Sequence, residues 1–397
     1  VVSDALREHP IIVHVDQIGG LGNRMFQHMA ALNLIAQIPQ SRLSGISLPE
    51  WGIDEPDIRK KTEREFTVHR DTHMRVPFEA IARAIDADAC DSIIVRNYVQ
   101  HMDNFLPPSV YRKIYVDTDP QTDAVAADEL LINVRGEEIL GGGAPDYVLI
   151  PANYYKRIVE ETGLRPVLMG QLTSSAYLDA LREALPHARL LPSQGMMKDF
   201  SIIRHAANIV ACISTFSWLA AWLSNAQRIF LPLAGTFHPF QRPDIDLVPL
   251  DDPRYRFDLF PSYFALPPQA AIEQHAAMDG MWRRLAPDHL RAFRDSRPRI
   301  RFDLAKFEPV FDEDYYCQQE WDVGAAKRAG IVPSGFEHYL RVGHKEGRPP
   351  FQVDRAWYCS AYPLAAFEIG QGDFLNCHHH YVEVGRQRGY LPVKPAA

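Results

Sequence analysis

"IIVHVDQIGGLGNRMFQHMAALNLIAQI", residues 11–38, changes its hydrophobic period at a cluster of glycines. Ile11, Ile12, Val13 and Val15 form a short β-branched run that reads as a buried strand, whereas Met25, Phe26, Met29, Ala30, Leu32 and Ile35 recur at helical spacing. Gly19, Gly20 and Gly22 lie at the junction, where glycine permits positive φ and close approach, and where a helix start offers unpaired N–H groups to an anion. The spacing is neither the dinucleotide fingerprint nor a P-loop, because no Lys-Ser/Thr follows. A strand feeding a helix through such a turn opens an α/β domain with a parallel sheet.

The chain around this stretch has 397 residues, enough for two or three cores. With 46% hydrophobic and 23% charged residues it reads as a globular protein, and a net charge of -8 argues against nucleic acid as a partner. Cys90, Cys212, Cys317, Cys359 and Cys377 are scattered without a C-x-x-C pair, which suits free thiols in a reducing compartment. The most apolar stretch, 206–223, contains Asn208, Ser214, Thr215 and Ser217 and falls short of a membrane span. A cytoplasmic protein is the expectation, peripheral to the inner membrane if the C-terminal segment docks there.

Residues 1–125 are expected to form a first Rossmann-like domain, and the polar passage "DTDPQTDAVAADE" leads to a second at 126–262. There, strands at 130–134, 166–169, 189–191 and 208–213 alternate with helices at 151–161, 175–184 and 197–206, and a Gly-rich loop occupies 141–143. Residues 263–306 read as a helical connector. Residues 307–397 contain a repeat: Tyr316-Cys317, Gly330, His338-Tyr339, Gly343 and Gly347 return as Tyr358-Cys359, Gly372, His380-Tyr381, Gly385 and Gly389 at an offset of 42 residues. That period predicts two stacked helical units.

Two further windows carry chemistry. In "DFSIIRHAANIVACISTFSWLAAWLS" (199–224) a strand ends at Ser214 and Thr215 and a helix opens near Ser217, so hydroxyls and N–H groups crowd a helix start; an N-cap and a phosphate cradle are both open readings. In "LLINVRGEEILGGG" (130–143) Arg135 leaves a strand end, placed either to grip a diphosphate bidentately or to pair with Glu137 or Glu138. The D-x-D of "IYVDTD" (Asp117, Asp119) reads as a boundary loop, and "CHHH" (377–380) as packing within its repeat, so no metal site is expected.

Together these windows resemble the α1,2-fucosyltransferases of glycosyltransferase family 11. "GGLGNRMFQH" is similar to that family's G-G-L-G-N-Q-M-F-Q-Y, "NYVQ" (97–100) to G-Y-W-Q, "NVRGEE" to H-x-R-R-G-D, and the 199–223 window to D-x-x-x-M-x-x-C-x-x-x-I-I-A-N-S-S-F-S-W-W-x-A-W-L. The tail resembles modules appended to bacterial glycosyltransferases. The resemblance implies a GT-B-like pair of Rossmann-like domains facing a cleft, metal-independent inverting transfer of L-fucose from GDP-fucose, and a bacterial surface glycan as acceptor. It implies no cofactor beyond the donor. By the same resemblance Gly20, Gly22, Asn23, Arg135, Ser214, Thr215 and Ser217 would serve the donor, and the tail would dock to a membrane surface or a protein. Inverting transfer needs a base, and Glu137, Glu138, Asp146, Asp16 and His28 are the candidates. Asn133 stands where the family has His, one arginine of the R-R pair is absent, and Glu137 replaces Asp, which leaves open another nucleotide sugar or a non-catalytic carbohydrate-binding or scaffolding protein.

Overall fold

A computed structural model describes the chain apart from residues 1–8, 60–63, 69–73, 142–145, 240, 243, 262, 297–302, 345–347, 372–373, 375 and 396–397. Gly142 and Gly143 of the predicted loop, and Gly347 and Gly372 of the repeat, lie outside the described residues. The chain divides into two units: residues 1–118 with 244–247 and 345–347, and the remainder. The division at Thr118 falls in the polar passage, and the C-terminal repeats belong to the second unit.

In the first unit, β1 (Ile11–Val15) is buried along its whole length and runs into α1 (Leu21–Gln37). It pairs in parallel with β2 (Ser41–Ser44) on one side and with β6 (Ser92–Val95) on the other. The hairpin β3 (Ile46–Leu48)–β4 (Ile53–Glu55) precedes β5 (Glu65–Val68), which pairs in parallel with β6. The order is β2-β1-β6-β5. β4 and β5 lie in charged sequence without alternating hydrophobicity; β5 is an edge strand with only Val68 buried, so the period-2 signal is missing. Helices α2 (Phe78–Asp86) and α3 (Pro108–Ile114) complete this unit.

The second unit holds a seven-stranded sheet. Its strands are β7 (Glu129–Val134), β8 (Arg165–Gly170), β9 (Arg189–Pro192), β10 (Asn208–Val210), β11 (Arg228–Leu233), β12 (Tyr255–Leu259) and β13 (Arg283–Leu285). All pairs are parallel except β12 with β13. Between them run α4 (Glu137–Leu140), α5 (Ala152–Thr162), α6 (Ala176–Ala184), α7 (Met196–His205) and α8 (Thr215–Trp222). The order β9-β8-β7-β10-β11-β12 is the 3-2-1-4-5-6 of doubly wound sheets. All six residues of β7 are buried, as expected of a strand covered on both faces. Both units are thus Rossmann-like α/β layers.

The connector differs from its helical reading. Helix α9 (Pro268–Ala277) ends before Gly280, whose φ is +71°, and Arg283–Leu285 forms the antiparallel edge strand β13 before α10 (Pro287–Ser296). Gly280 and Pro287 break the helix between them. Arg284 then anchors β13, donating to both oxygens of buried Asp258 at 2.9 and 3.1 Å and to Glu161.

Each repeat comprises three helices and a π-helical turn. The first has α11 (Glu313–Gln319), α12 (Trp321–Arg328) and α13 (Gly335–His338), the second α14 (Arg355–Ala361), α15 (Pro363–Gln371) and α16 (Cys377–His380). Asp312 and Asp354 cap the first helix of each repeat, and Ser334 and Asn376 the third. The repeated Tyr, His and Gly form one device. Tyr316 meets His338 Nδ1 at 3.0 Å and Tyr358 meets His380 Nδ1 at 2.9 Å, and a Cβ on Gly343 or Gly385 would lie 2.0 or 2.2 Å from the tyrosine oxygen. Val382 of the second repeat enters the first repeat's core of Phe307, Tyr316, Val323, Tyr339 and Phe351, while Phe264 enters the second's. The tail therefore shares its core with the segment that follows β12.

Candidate active site

In an open parallel sheet, ligands bind beyond the carboxyl ends of the strands where the order reverses. In the second unit the reversal lies between β7 and β10. The loop after β7 begins with Arg135, and the loop after β10 runs through Ile213 to Ser214 at the start of α8. Two windows far apart in sequence thereby meet. Arg135 Nη1 donates to the Ile213 carbonyl at 3.1 Å, its Nε to Glu138 at 2.9 Å, and its guanidinium lies 4.1 Å from the centre of the Tyr147 ring. The side chain is 21% exposed, so one edge stays open to solvent.

Ser214 occupies the N-cap position of α8 in extended geometry without capping through its side chain. Thr215 opens the helix beside it. Ser217 points inward, is fully buried and accepts from Cys212 N at 3.3 Å, so its hydroxyl braces the β10–α8 turn. Beneath lies Cys212, whose Sγ meets Asn133 Oδ1 at 2.8 Å; burial pushes this thiol up to about 11. A neutral thiol and an amide fill the floor where the resemblance has a histidine.

Glu137 accepts from Thr173 N at 3.1 Å and is exposed, whereas Glu138 is held by Arg135. Gln171, just past β8, accepts from Gly136 N at 3.0 Å and fixes the turn that carries both glutamates. Asp146 is buried. Burial opposes its ionisation, but Arg355 at 2.9 Å and Arg242 at 3.0 Å, with Gln241, hold its carboxyl below the usual carboxylate range. With its oxygens so occupied, Asp146 is an anchor between the tail and the α/β layer.

The first unit has its own reversal between β1 and β6. Asp16 follows β1 and accepts from Arg96, just past β6, at 2.7 Å and meets His14 at 3.1 Å. Burial raises the Asp16 carboxyl, yet the bonds from Arg96 and His14 leave it net lowered. Gly19 at φ +79° requires glycine, since a Cβ would lie 2.5 Å from Asn23 Nδ2; Gly20 has open space at that position, and Gly22 is buried in α1. Asn23 accepts from Gln100 at 2.9 Å, and Gln27 donates to the Asn97 carbonyl at 3.1 Å, so "NYVQ" ties the loop after β6 to the glycine turn. His28 is buried, with Nδ1 2.9 Å from the Tyr115 hydroxyl, and burial lowers it to about 4.

The second unit thus brings together Arg135, Glu137, Glu138, Ser214 and Thr215, and the first brings together Asp16, Gly20 and Asn23, with His28 in its core. Sequence reasoning missed Tyr147, Gln171 and Arg96. Gln171 and Arg96 were within reach, because both directly follow strands at the sheets' carboxyl ends; Tyr147 has no local signal.

Among the described residues no group of three or more His, Cys, Asp or Glu is placed to hold a metal ion, and no helix is long and apolar enough to cross a membrane. No family model and no curated protein matches the chain. Among solved structures the chain is similar to a mutant of Arabidopsis thaliana FUT1 in complex with GDP, at 12% identity over 58% of this chain and 71% of that one, TM-score 0.34. It is also similar to the iron-containing dodecameric glycosyltransferase TibC of enterotoxigenic E. coli, at 14% identity over 57% and 59% of the two chains, TM-score 0.32. E. coli heptosyltransferase WaaC with ADP matches at 13% identity over 68% of this chain and 99% of that one, TM-score 0.31. Likenesses of this size give no residue correspondence and leave the site to be read from its own geometry.

Proposed function

We propose that the chain is an inverting glycosyltransferase that takes its sugar from a nucleoside-diphosphate sugar bound at the β7/β10 reversal. GDP-fucose is the donor favoured by the sequence resemblance, and a hydroxyl of a bacterial surface glycan the acceptor. What supports the reading is the convergence of Arg135 with the amino end of α8: a guanidinium and helix N–H groups meet where a departing diphosphate gathers negative charge. In the reaction a base takes the acceptor proton, the acceptor oxygen attacks the anomeric carbon from the face opposite the diphosphate, and the carbon–oxygen bond to phosphate breaks. Arg135 and Thr215 stabilise the leaving group. Within the second unit the base is Glu137, which is exposed, whereas Glu138 is held by Arg135 and Asp146 by Arg355.

Glu138 pairs with Arg135, so a diphosphate that takes the guanidinium has to displace a carboxylate. Calorimetric titration with GDP, ADP and UDP tests the site: Arg135→Ala is expected to weaken the preferred nucleotide by about 1.5–3 kcal/mol, roughly 10- to 150-fold. Unchanged affinity in a folded Arg135→Ala protein would remove the assignment. Nucleotide binding without transfer or donor hydrolysis would instead favour a binding protein, a reading motivated by Asn133 and Glu137 in the altered "NVRGEE" segment.

A further inference from the structure

The second repeat contains a cysteine pair outside the nucleotide site. Cys359 on α14 and Cys377 at the start of α16 lie with their sulfurs 3.6 Å apart, both buried among Phe264, Ala365 and Ile369. The first repeat holds Cys317 at the position equivalent to Cys359 but glycine, Gly335, at the position equivalent to Cys377. A Cβ built on Gly335 would fall 3.0 Å from Cys317 Sγ, so the repeat geometry itself brings these two positions within bonding reach. Cys359 also lines a cavity of about 530 Å³, walled by Phe264, Met278, Met281, Ser360 and Phe367, with Met281 and Phe367 more than half exposed. A small oxidant therefore has a path to a sulfur that is otherwise buried.

We propose that Cys359 and Cys377 are a redox modification site, closing to an intramolecular disulfide under peroxide and reopening with thiol reductant. In the first step one thiol and hydrogen peroxide give a sulfenic acid and water; in the second, the neighbouring thiol attacks that sulfur, the S–S bond forms and a second water leaves. The two thiols lose two electrons and the peroxide gains them. A disulfide needs its sulfurs at about 2.05 Å, so they approach by about 1.5 Å, a displacement of α14 against α16 within side-chain reach. The bond links α14, which carries Arg355 one turn before Cys359, to the helix that carries His380.

The test uses the full chain. Native protein is exposed to a small excess of hydrogen peroxide, quenched, denatured and alkylated, and the alkylated cysteines are counted by intact mass and located by peptide mapping. The expected result is a fall from five alkylated cysteines to three, a peptide pair joined through Cys359 and Cys377, return to five after dithiothreitol, and a higher unfolding temperature of the oxidised form. Cys317 remains alkylated and serves as the internal control, which needs no variant to fold. Cys359→Ser should hold the count at four with or without peroxide. Five alkylated cysteines after treatment, a sulfinic acid at either position without a link, or pairing with Cys90, Cys212 or Cys317 would overturn the proposal.

Discussion

At the scale of single residues, some glycines stand where another group already occupies the place of a side chain. Gly385 is the clearest case, because the Tyr358 hydroxyl lies 2.2 Å from where its Cβ would be and the next atoms are 3.4 Å away. Gly385→Ala is therefore expected to destabilise by about 1–3 kcal/mol through overpacking. Adding Tyr358→Phe, which deletes that oxygen, should recover part of the loss. Urea unfolding of the two single variants and the double variant reads the coupling; strict additivity would show that the hydroxyl is not the cause. The repeated Tyr, His and Gly were visible in the sequence, but the sequence could not say that the glycine exists for the tyrosine.

At the scale of elements, local pattern located the strands and helices that are buried on both faces or strongly amphipathic, and it failed where an element depends on its neighbour. Strand β13 is three residues long and exists because β12 offers an edge and Asp258 awaits a cation. Tyr154 donates to the same carboxylate at 3.0 Å, so Asp258 is buried with a hydroxyl and one guanidinium as its partners in view. Arg284→Ala leaves that charge without its guanidinium, and a loss of about 3–5 kcal/mol is expected, read as a lower urea midpoint with the slope unchanged. An unaltered midpoint would mean that solvent or another group replaces Arg284 at no cost.

For the molecule as a whole, stability carries a pH signature. His28 has an ordinary value of 6.5 in the unfolded chain and is lowered by burial to about 4 in the folded one. Its neutral form stabilises the fold fully above 6.5, and as pH falls from 6.5 toward 4 the unfolded chain binds a proton that the folded chain refuses. Up to about 3 kcal/mol is lost across that window. Unfolding measured at about pH 7.5 and about pH 5 should show the fall, and His28→Gln should lessen it, the rest belonging to other histidines such as His378, also lowered by burial to about 4; an equal fall in the variant would place the titration elsewhere. The sequence by itself determined the α/β class, the glycine turn, the β7 and α8 windows and the 42-residue repeat, because these rest on periodicity and turn chemistry within a few residues. Tertiary structure alone decided that Arg135 reaches Ile213, that Glu138 occupies it, that Arg355 neutralises Asp146 and that His28 is buried. These contacts span up to 209 residues, and they follow from strand order and helix packing, which no local window encodes.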